Sequence, residues 1–268
     1  MFPNNTIITY IIHPLNLKNP AKISALIITF NEIDHIKEVI NNISFADEII
    51  VVDSFSTDGT LEELAQFKHV KTIKRAFKNF TDQRNFALQQ AAHNWVLFID
   101  ADERLTDKLR TEIIATINSA TDVAAFMVKR LCFFNKKRIH FSGFQTDTTY
   151  RLFKKDKVTY IEDKLVHEMP RIDGKSTILK SNMLHYSIDN AAHFKSKMEH
   201  YAQLKALELH QKGKKSTVFH QIFRPTHKFV LNYFFRLGFI DGKEGFQICY
   251  LNAYGVYYRY KELQKLNS

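Results

Sequence analysis

The chain has 268 residues, 45% of them hydrophobic and 25% charged, which fits a folded globular protein and excludes a disordered one. Its net charge of +10 arises after residue 150: residues 1–150 hold 17 Lys and Arg against 17 Asp and Glu, and residues 151–268 hold 21 against 11. The two cysteines, Cys132 and Cys249, are far apart and indicate neither a disulfide framework nor a zinc site.

Up to residue 128, short apolar runs alternate with segments of helical spacing. The predicted strands are Ile23–Thr29, Glu48–Asp53, 70–75, 95–100 and Val123–Val128, and the predicted helices are 31–44, 56–67, 81–92 and 106–117. This alternation predicts an α/β protein with a mostly parallel sheet flanked by helices. Ligands of such sheets bind at the carboxyl ends of the strands, where Asp53 and Asp100 are expected.

Beyond Arg130 the regular alternation ends. Strand-like stretches separated by polar turns come first, and a long helix is then predicted that stops at Gly213. We expect a sheet domain over residues 22–190, which holds the ligand-binding and catalytic sites, and a helical extension over residues 191–268 that packs on it.

The extension is rich in aromatic and basic residues, with 13 Phe and Tyr between Phe219 and Tyr260. This composition suits a peripheral contact with an anionic membrane surface, and equally the packing of the extension on the sheet. No segment approaches the roughly 18 apolar residues of a spanning helix, and the amino terminus is a poor secretory signal. We therefore expect a cytoplasmic protein that can associate peripherally with the inner face of the plasma membrane.

Three carboxylates, Asp100, Asp102 and Glu103, follow the apolar run Trp95–Ile99. Asp100 and Asp102 are two residues apart and so share one side of an extended segment. Paired carboxylate oxygens favour Mg²⁺ or Mn²⁺ over zinc, and such a cation commonly also binds substrate phosphates. This predicts a site for a nucleoside diphosphate. The alternative is that Asp102 or Glu103 only caps the next helix.

The placement of glycine excludes two common nucleotide loops. Of the eight glycines only Gly59 precedes Gly143, whereas the GxGxxG and GxxxxGK[ST] loops need several glycines early in a βαβ unit. A nucleotide site in this chain must therefore consist of side chains and strand ends.

Several motifs together resemble those of family 2 glycosyltransferases with a GT-A fold. They are, in chain order, "IITFNE", "EIIVVDSFSTDGT", "DQRNFAL" and "WVLFIDADE", and the resemblance covers about residues 22–255. The later stretches "LVHE" and "FRLGFIDGKEGF" are similar to those of bacterial lipopolysaccharide-core glucosyltransferases. The resemblance implies a metal-dependent, inverting transfer of a hexose from a UDP-linked donor to a glycolipid or saccharide acceptor of the cell envelope, with Mn²⁺ or Mg²⁺ as cofactor.

The resemblance also implies roles for individual residues. Asp53 would accept a hydrogen bond from the base, and Arg84 would lie near the nucleotide or its phosphates. Asp100 would contact ribose or a metal-bound water, and Asp102 would bind the metal. The residues that would line the nucleotide pocket are Thr29, Asn31 and Glu32. One departure is Phe55, where relatives often have glycine.

Inverting transfer needs a carboxylate to deprotonate the acceptor hydroxyl. Glu168 in "LVHE" is the first candidate for this base, and Asp163 is the second. His167 and His185 are candidates to complete the metal site. Arg151 is predicted to clamp a diphosphate or the acceptor, because guanidinium makes bidentate contacts to phosphate.

Two other functions are compatible with parts of the sequence. A nucleotidyltransferase would share the sheet and its acidic edge, but it would usually need a glycine-rich basic loop where this chain has "TFNEIDH". A nucleic-acid-binding protein would explain the pI near 9.4. The neutral first half and its acidic strand ends argue against it, so we expect no nucleic-acid partner.

Overall fold

Strands and helices alternate through the first part of the chain, as its apolar runs predict. A computed structural model describes residues 20–161, 170–188 and 190–267. The elements of the first part are β1 (Ile23–Thr29), α1 (Ile33–Asn42), β2 (Glu48–Asp53), α2 (Thr60–Leu64), β3 (Val70–Lys74), α3 (Phe80–Gln90), β4 (Trp95–Phe98), β5 (Glu103–Leu105) and α4 (Asp107–Ile117).

Four of these strands form the parallel part of the sheet, in the order β3-β2-β1-β4. In this register Thr29 is level with Asp53, and Leu26 is level with Phe98. The direction of the strand order changes between β1 and β4. The carboxyl ends of strands at such a change form a crevice that suits a ligand.

The second part of the chain extends the same sheet with longer strands. They are β6 (Val123–Phe134), β7 (Lys137–Arg138), β8 (Thr148–Lys154) and β11 (Lys175–Ile188). The full order is β3-β2-β1-β4-β8-β6-β11-β5, with β7 on β6; β8 pairs antiparallel with β4 and β6, and β11 runs parallel to β6. Strands β9 (Val158–Tyr160) and β10 (Pro170–Ile172) form a separate pair.

The acidic segment after β4 connects the middle of the sheet to its edge. Strand β4 lies beside β1, whereas β5 pairs antiparallel with β11 at the far end of the strand order. In that pairing Glu103 is opposite His185. A histidine distant in sequence is thereby brought next to the acidic segment.

Both faces of the sheet are covered, which explains why the strands read as continuous apolar runs. Ala25 and Ile27 of β1 belong to one buried cluster, together with Ile36 and Ile40 of α1. Leu26 points to the opposite cluster, together with Ala87 of α3. The predicted α/β sheet flanked by helices is confirmed: four parallel strands lie at one end, and β6 and β11 form a further parallel pair within a mixed sheet.

The residues after 190 are helical, as predicted. They form α5 (Ala191–Gln211), α6 (Val218–Val230) and α7 (Gly242–Asn267), with a π-helical turn at Leu231–Phe235 and a 3-10 turn at Gly238–Asp241. Both α5 and α6 pack on α7. Gly213 has a φ of +66° and ends α5 as expected, because glycine adopts left-handed backbone without a steric penalty.

Within the described ranges, the helices are all too short or too polar to cross a bilayer.

Candidate active site

The loops that follow β1 and β2 are tied together by hydrogen bonds. Asn31 has a φ of +56°, its N–H donates to Ser56 Oγ at 2.8 Å, and its Oδ1 accepts from the N–H of Thr57 at 2.8 Å. The N–H of Glu32 donates to Thr60 Oγ1 at 2.9 Å. The predicted pocket residues Asn31 and Glu32 are thus held in fixed positions at the carboxyl ends of the two strands.

Thr29 and Asp53 lie below these loops and are buried. The two carboxylate oxygens of Asp53 accept hydrogen bonds from the N–H and the hydroxyl of Ser56, at 2.9 and 2.5 Å. Asp53 is 0% exposed, so the predicted contact with a nucleotide base requires the loop after β2 to move. That contact stays a prediction.

A cavity of about 570 Å³ opens beside these loops. This volume is typical of sites for small organic ligands. Its wall includes the loop after β1 with the start of α1, the acidic segment with the end of β11, and α5, and Asp58 and Phe80 complete it. The residues that line it include Asn31, Glu32, Asp102, Tyr186, His193, Lys197 and His200.

Asp102 is the metal ligand predicted from the sequence, and it lines this cavity. Its Oδ2 lies 3.3 Å from Nε2 of His185, a consequence of the pairing between β5 and β11. Burial raises the pKa of Asp102, but the hydrogen bond and the charge of His185, with the nearby Lys197, outweigh this effect and hold the pKa below its usual value. Asp102 is therefore a carboxylate at neutral pH.

The Asp102–His185 pair fits a divalent cation. Two ligand atoms about 2.1 Å from an octahedral ion and at a right angle to each other are separated by about 3 Å, close to the distance observed here. One carboxylate oxygen and one imidazole nitrogen suit Mn²⁺, and Mg²⁺ less well because it prefers oxygen. The two predicted ligands are thus adjacent, and Asp102 lines the cavity.

Cys132 and Asp147 lie near the other ring nitrogen of His185, on the side away from Asp102. This Nδ1 is 3.8 Å from Cys132 Sγ and 4.0 Å from Asp147 Oδ2, and the Cys132 thiol donates to Asp147 at 3.2 Å. Burial and the charge of Asp147 raise the pKa of Cys132. A protonated thiol is a poor metal ligand, so we interpret this group as a support that directs Nε2 of His185 toward Asp102.

Asp100 belongs to a network of ion pairs with arginines and is not among the residues that line the cavity. Its carboxylate accepts from Arg84 at 3.0 Å and from Arg151 at 2.5 Å. Arg151 also donates to Glu103, at 2.6 and 2.8 Å, and Arg130 lies 3.3 Å from the same carboxylate. Burial raises the pKa of Asp100, but the three arginines lower it far more. Asp100 stays ionised and anchors the start of the acidic segment.

The geometry of Arg151 favours a second role beside the predicted one. Its side chain is 4% exposed, it is not among the residues that line the cavity, and its guanidinium contacts Asp100 and Glu103. A clamp on a diphosphate needs donors that face the ligand, so we propose that Arg151 supports the acidic segment; its contact with a diphosphate stays a prediction. Arg84 and Asp100 are also not among the lining residues, and their predicted contacts with the nucleotide stay predictions.

Sequence reasoning missed the contribution of α5. His193, Lys197 and His200 of this helix line the cavity. Lys197 is half-buried, and within the described part of the chain it forms neither a hydrogen bond nor an ion pair. The sequence did contain a signal for this contribution. These three residues are spaced four and three apart, which places their side chains on one face of the helix, beside its apolar stripe.

Three predicted residues, Asp163, His167 and Glu168, lie outside the described residues. The identity of the catalytic base therefore stays a prediction from the sequence, as does the participation of His167 in the metal site.

Comparisons with known proteins agree with the geometry of the site. The model of the family described as glycosyl transferase family 2 matches residues 24–172. An uncharacterized glycosyltransferase of Rickettsia prowazekii (strain Madrid E) is 29% identical, over 92% of this chain and 88% of the relative. The lipopolysaccharide core biosynthesis glycosyltransferase LpsC of Rhizobium meliloti (strain 1021) is 26% identical, over 89% of this chain and 93% of the relative.

Among solved structures, a mannosyltransferase from Pyrobaculum calidifontis in complex with GDP-mannose and Mn²⁺ aligns with a TM-score of 0.49. It is 17% identical, and the alignment covers 72% of this chain and 65% of that chain.

The family match spans more than half of the chain, including β1, β2, β4 and the acidic segment. The α/β sheet with flanking helices and a helical carboxyl-terminal extension is the GT-A type of architecture that the motifs implied. The chain belongs to the family 2 glycosyltransferases.

Proposed function

We propose that the protein is an inverting, metal-dependent glycosyltransferase that moves a hexose from a UDP-linked donor to a cell-envelope glycolipid or lipopolysaccharide-core acceptor. The single observation that carries the proposal is the adjacency of His185 to Asp102, which lines the cavity, in a chain of this family. The acceptor class is supported by the relative from Rhizobium meliloti, which is named for lipopolysaccharide core biosynthesis.

Asp102 and His185 would hold Mn²⁺ or Mg²⁺ next to the donor diphosphate. When bound, the cation stabilises the negative charge that develops on the departing diphosphate. Lys197, which also lines the cavity, adds a positive charge close enough to lower the pKa of Asp102. This side of the cavity is therefore suited to the diphosphate, and Asn31 and Glu32 are suited to the nucleoside.

The opposite face of the sugar must meet a carboxylate that removes the proton of the acceptor hydroxyl. Glu168 keeps this role in our proposal, with Asp163 as its alternative. Positioned base catalysis contributes about 10²–10⁴ in rate. The order of events is a single displacement, with the acceptor oxygen bonding to the anomeric carbon as the bond to the diphosphate breaks.

A thermal-shift screen of nucleotide-sugars tests the proposed donor and metal together. With Mn²⁺ and a UDP-hexose at saturation, we expect the melting temperature to rise by about 5–10 °C, because a ligand at a hundred times its Kd stabilises by about 2.7 kcal/mol. Without Mn²⁺ the rise is expected to be smaller, and GDP- and CDP-sugars serve as controls for the base. If no nucleotide-sugar changes the melting temperature with or without Mn²⁺, the proposed function is wrong.

Replacing Lys197 tests the assignment of the diphosphate side. We expect Lys197→Met to weaken UDP binding by about 10- to 100-fold, the range for a lost hydrogen bond to a charged group. Uridine, which has no phosphate, is expected to bind both proteins equally in isothermal titration calorimetry.

Lys195→Met is the matched control for this experiment. Lys195 lies on the same helix but is exposed, 3.7 Å from Glu199 and over the ring of Tyr254, so UDP binding should not change. Equal losses for UDP and uridine would mean that Lys197 only supports the fold. No loss for either ligand would place the diphosphate elsewhere.

A further inference from the structure

Helix α6 turns its apolar side away from the protein. Val218, Phe219, Ile222 and Phe223 are between 55% and 69% exposed. With Thr226 they share one side of the helix, because their spacing of one and four residues follows the helical repeat. We call these five residues the outward stripe.

The opposite side of α6 packs on α7 through polar side chains. Arg224 donates to the hydroxyl of Tyr260, and Gln221 Nε2 donates to Gln264 Oε1 at 2.6 Å. The ring of His220 is stacked on Tyr260, with centroids 5.1 Å apart. An amphipathic helix on a water-exposed surface has the reverse orientation, with apolar residues inward. The outward stripe therefore needs an apolar partner.

The chain exposes further large apolar side chains just after α6. Phe234 and Phe235 of the π-helical turn are exposed, and Phe235 is 77% exposed. Leu237, Phe239 and Ile240 of the next turn are exposed as well. Single exposed apolar residues are ordinary, but a run of this kind marks a surface that binds another apolar surface.

The same segment is strongly and uniformly basic. Between Glu208 and Asp241 the sequence has no acidic residue and six basic ones: Lys212, Lys214, Lys215, Arg224, Lys228 and Arg236. Two identical copies meeting through this surface would bring like charges together, which costs free energy. The charge thus favours an anionic partner over a second copy of the chain.

Two of these basic residues, Lys228 and Arg236, lie close together and near Arg259 of α7. Lys228 is half-buried, and burial together with the nearby Arg236 and Arg259 lowers its pKa. The Nε of Arg259 is buried with no hydrogen-bond partner in the described part of the chain. None of these three cations forms an ion pair with a described carboxylate. A group of cations with no directly paired carboxylate among the described residues is suited to phosphate.

We propose that α6 lies in the plane of an anionic lipid bilayer, with the outward stripe at the boundary of head groups and acyl chains and the basic residues of the segment attracted to the lipid phosphates. Amphipathic helices with this combination of apolar and basic residues bind bilayers in that orientation. The surface is separate from the cavity, and the inference goes beyond sugar transfer. It makes the protein a peripheral membrane protein whose extension is the binding element.

Cosedimentation of the full-length protein with vesicles tests this surface. One vesicle is phosphatidylcholine alone, and the other contains phosphatidylglycerol as well. We expect binding to the anionic vesicle that weakens with salt, and a triple variant, Phe219→Ser with Ile222→Ser and Phe223→Ser, that binds at least about tenfold more weakly. Lys228→Gln with Arg236→Gln should lose about fivefold per charge on the anionic vesicle only.

The control is a variant with Ile114→Ser and Ile178→Ser, which removes exposed apolar side chains of α4 and β11. It should bind vesicles like the original protein. Circular dichroism should be the same for all variants, since the replaced apolar residues are exposed.

Two results would overturn the inference. One is equal vesicle binding by the triple variant and the original protein. The other is a lipid-free dimer that the triple variant abolishes, without any vesicle binding, which would identify a second copy as the partner. The assay contains no nucleotide, so its failure leaves the proposed sugar transfer untouched, and a failed nucleotide-sugar screen leaves this result standing.

Discussion

We expect Asp102→Asn to lower kcat/KM for sugar transfer by about 10³-fold, because a divalent cation contributes several kcal/mol of charge stabilisation and each 1.36 kcal/mol is a factor of ten. Asparagine keeps the shape of the side chain and removes the negative charge that holds the cation. The fold should persist, since the N–H of Tyr186 bonds to the backbone carbonyl of Asp102 at 2.8 Å and not to its side chain. Transfer assays over a range of Mn²⁺ concentrations, with Mn²⁺ binding followed by electron paramagnetic resonance, provide the measurement.

Asp107→Asn is the matched control for this variant. Asp107 begins α4 five residues further along, and its side chain is 92% exposed and paired with Arg110. Its replacement should leave transfer and Mn²⁺ binding unchanged. Full transfer by Asp102→Asn with an unchanged Mn²⁺ dependence would show that the site is wrongly assigned. Lost Mn²⁺ binding with full transfer would show that the enzyme does not need the metal.

The sequence predicts the first part of the sheet well because its signals are local. A strand such as Glu48–Asp53 is a continuous apolar run followed by turn residues, and the helix Asp107–Ile117 has Thr106 as its N-cap, accepting from the N–H of Leu109 at 3.2 Å. These patterns depend on neighbours in the chain. The position of Asp102 just beyond β4 follows from them directly.

The partners of Asp102 depend on pairing between distant strands, which no local pattern specifies. His185 reaches Asp102 because β5 leaves the centre of the sheet and pairs with β11. Register of this kind is set by the packing of whole faces. The sequence offered His185 as one of two candidate histidines, without showing which carboxylate it would meet, and Lys197 only as one position on a long helix.

Arg151 is a second residue whose role the sequence alone could not decide. An arginine in a basic stretch is compatible with a phosphate contact and with a buried ion pair, and the residue type does not distinguish them. Which of these two contacts Arg151 makes depends on the position of β8, which lies between β4 and β6. This places Arg151 against Glu103, which is 0% exposed, and the network around that carboxylate is what holds the acidic segment in place.

If Arg151 has this supporting role, removing its charge must damage the fold before it damages substrate binding. The Glu103 carboxylate would keep Arg130 at 3.3 Å and the N–H of Asp100 at 3.0 Å. Two charge-assisted hydrogen bonds of 2.6 and 2.8 Å would be gone. A buried charge that loses its main partner is costly because water cannot reach it.

Arg151→Met, which keeps the aliphatic stem, is therefore expected to lower the free energy of unfolding by about 3–5 kcal/mol. Urea unfolding measures this change. Arg110→Met, at an exposed pair, should change it by no more than about 0.5 kcal/mol. Adding Glu103→Gln to Arg151→Met should cost less than the sum of the two single changes, because the residues share one interaction. Unchanged stability with a raised KM for the donor would instead return Arg151 to the diphosphate, as the sequence predicted.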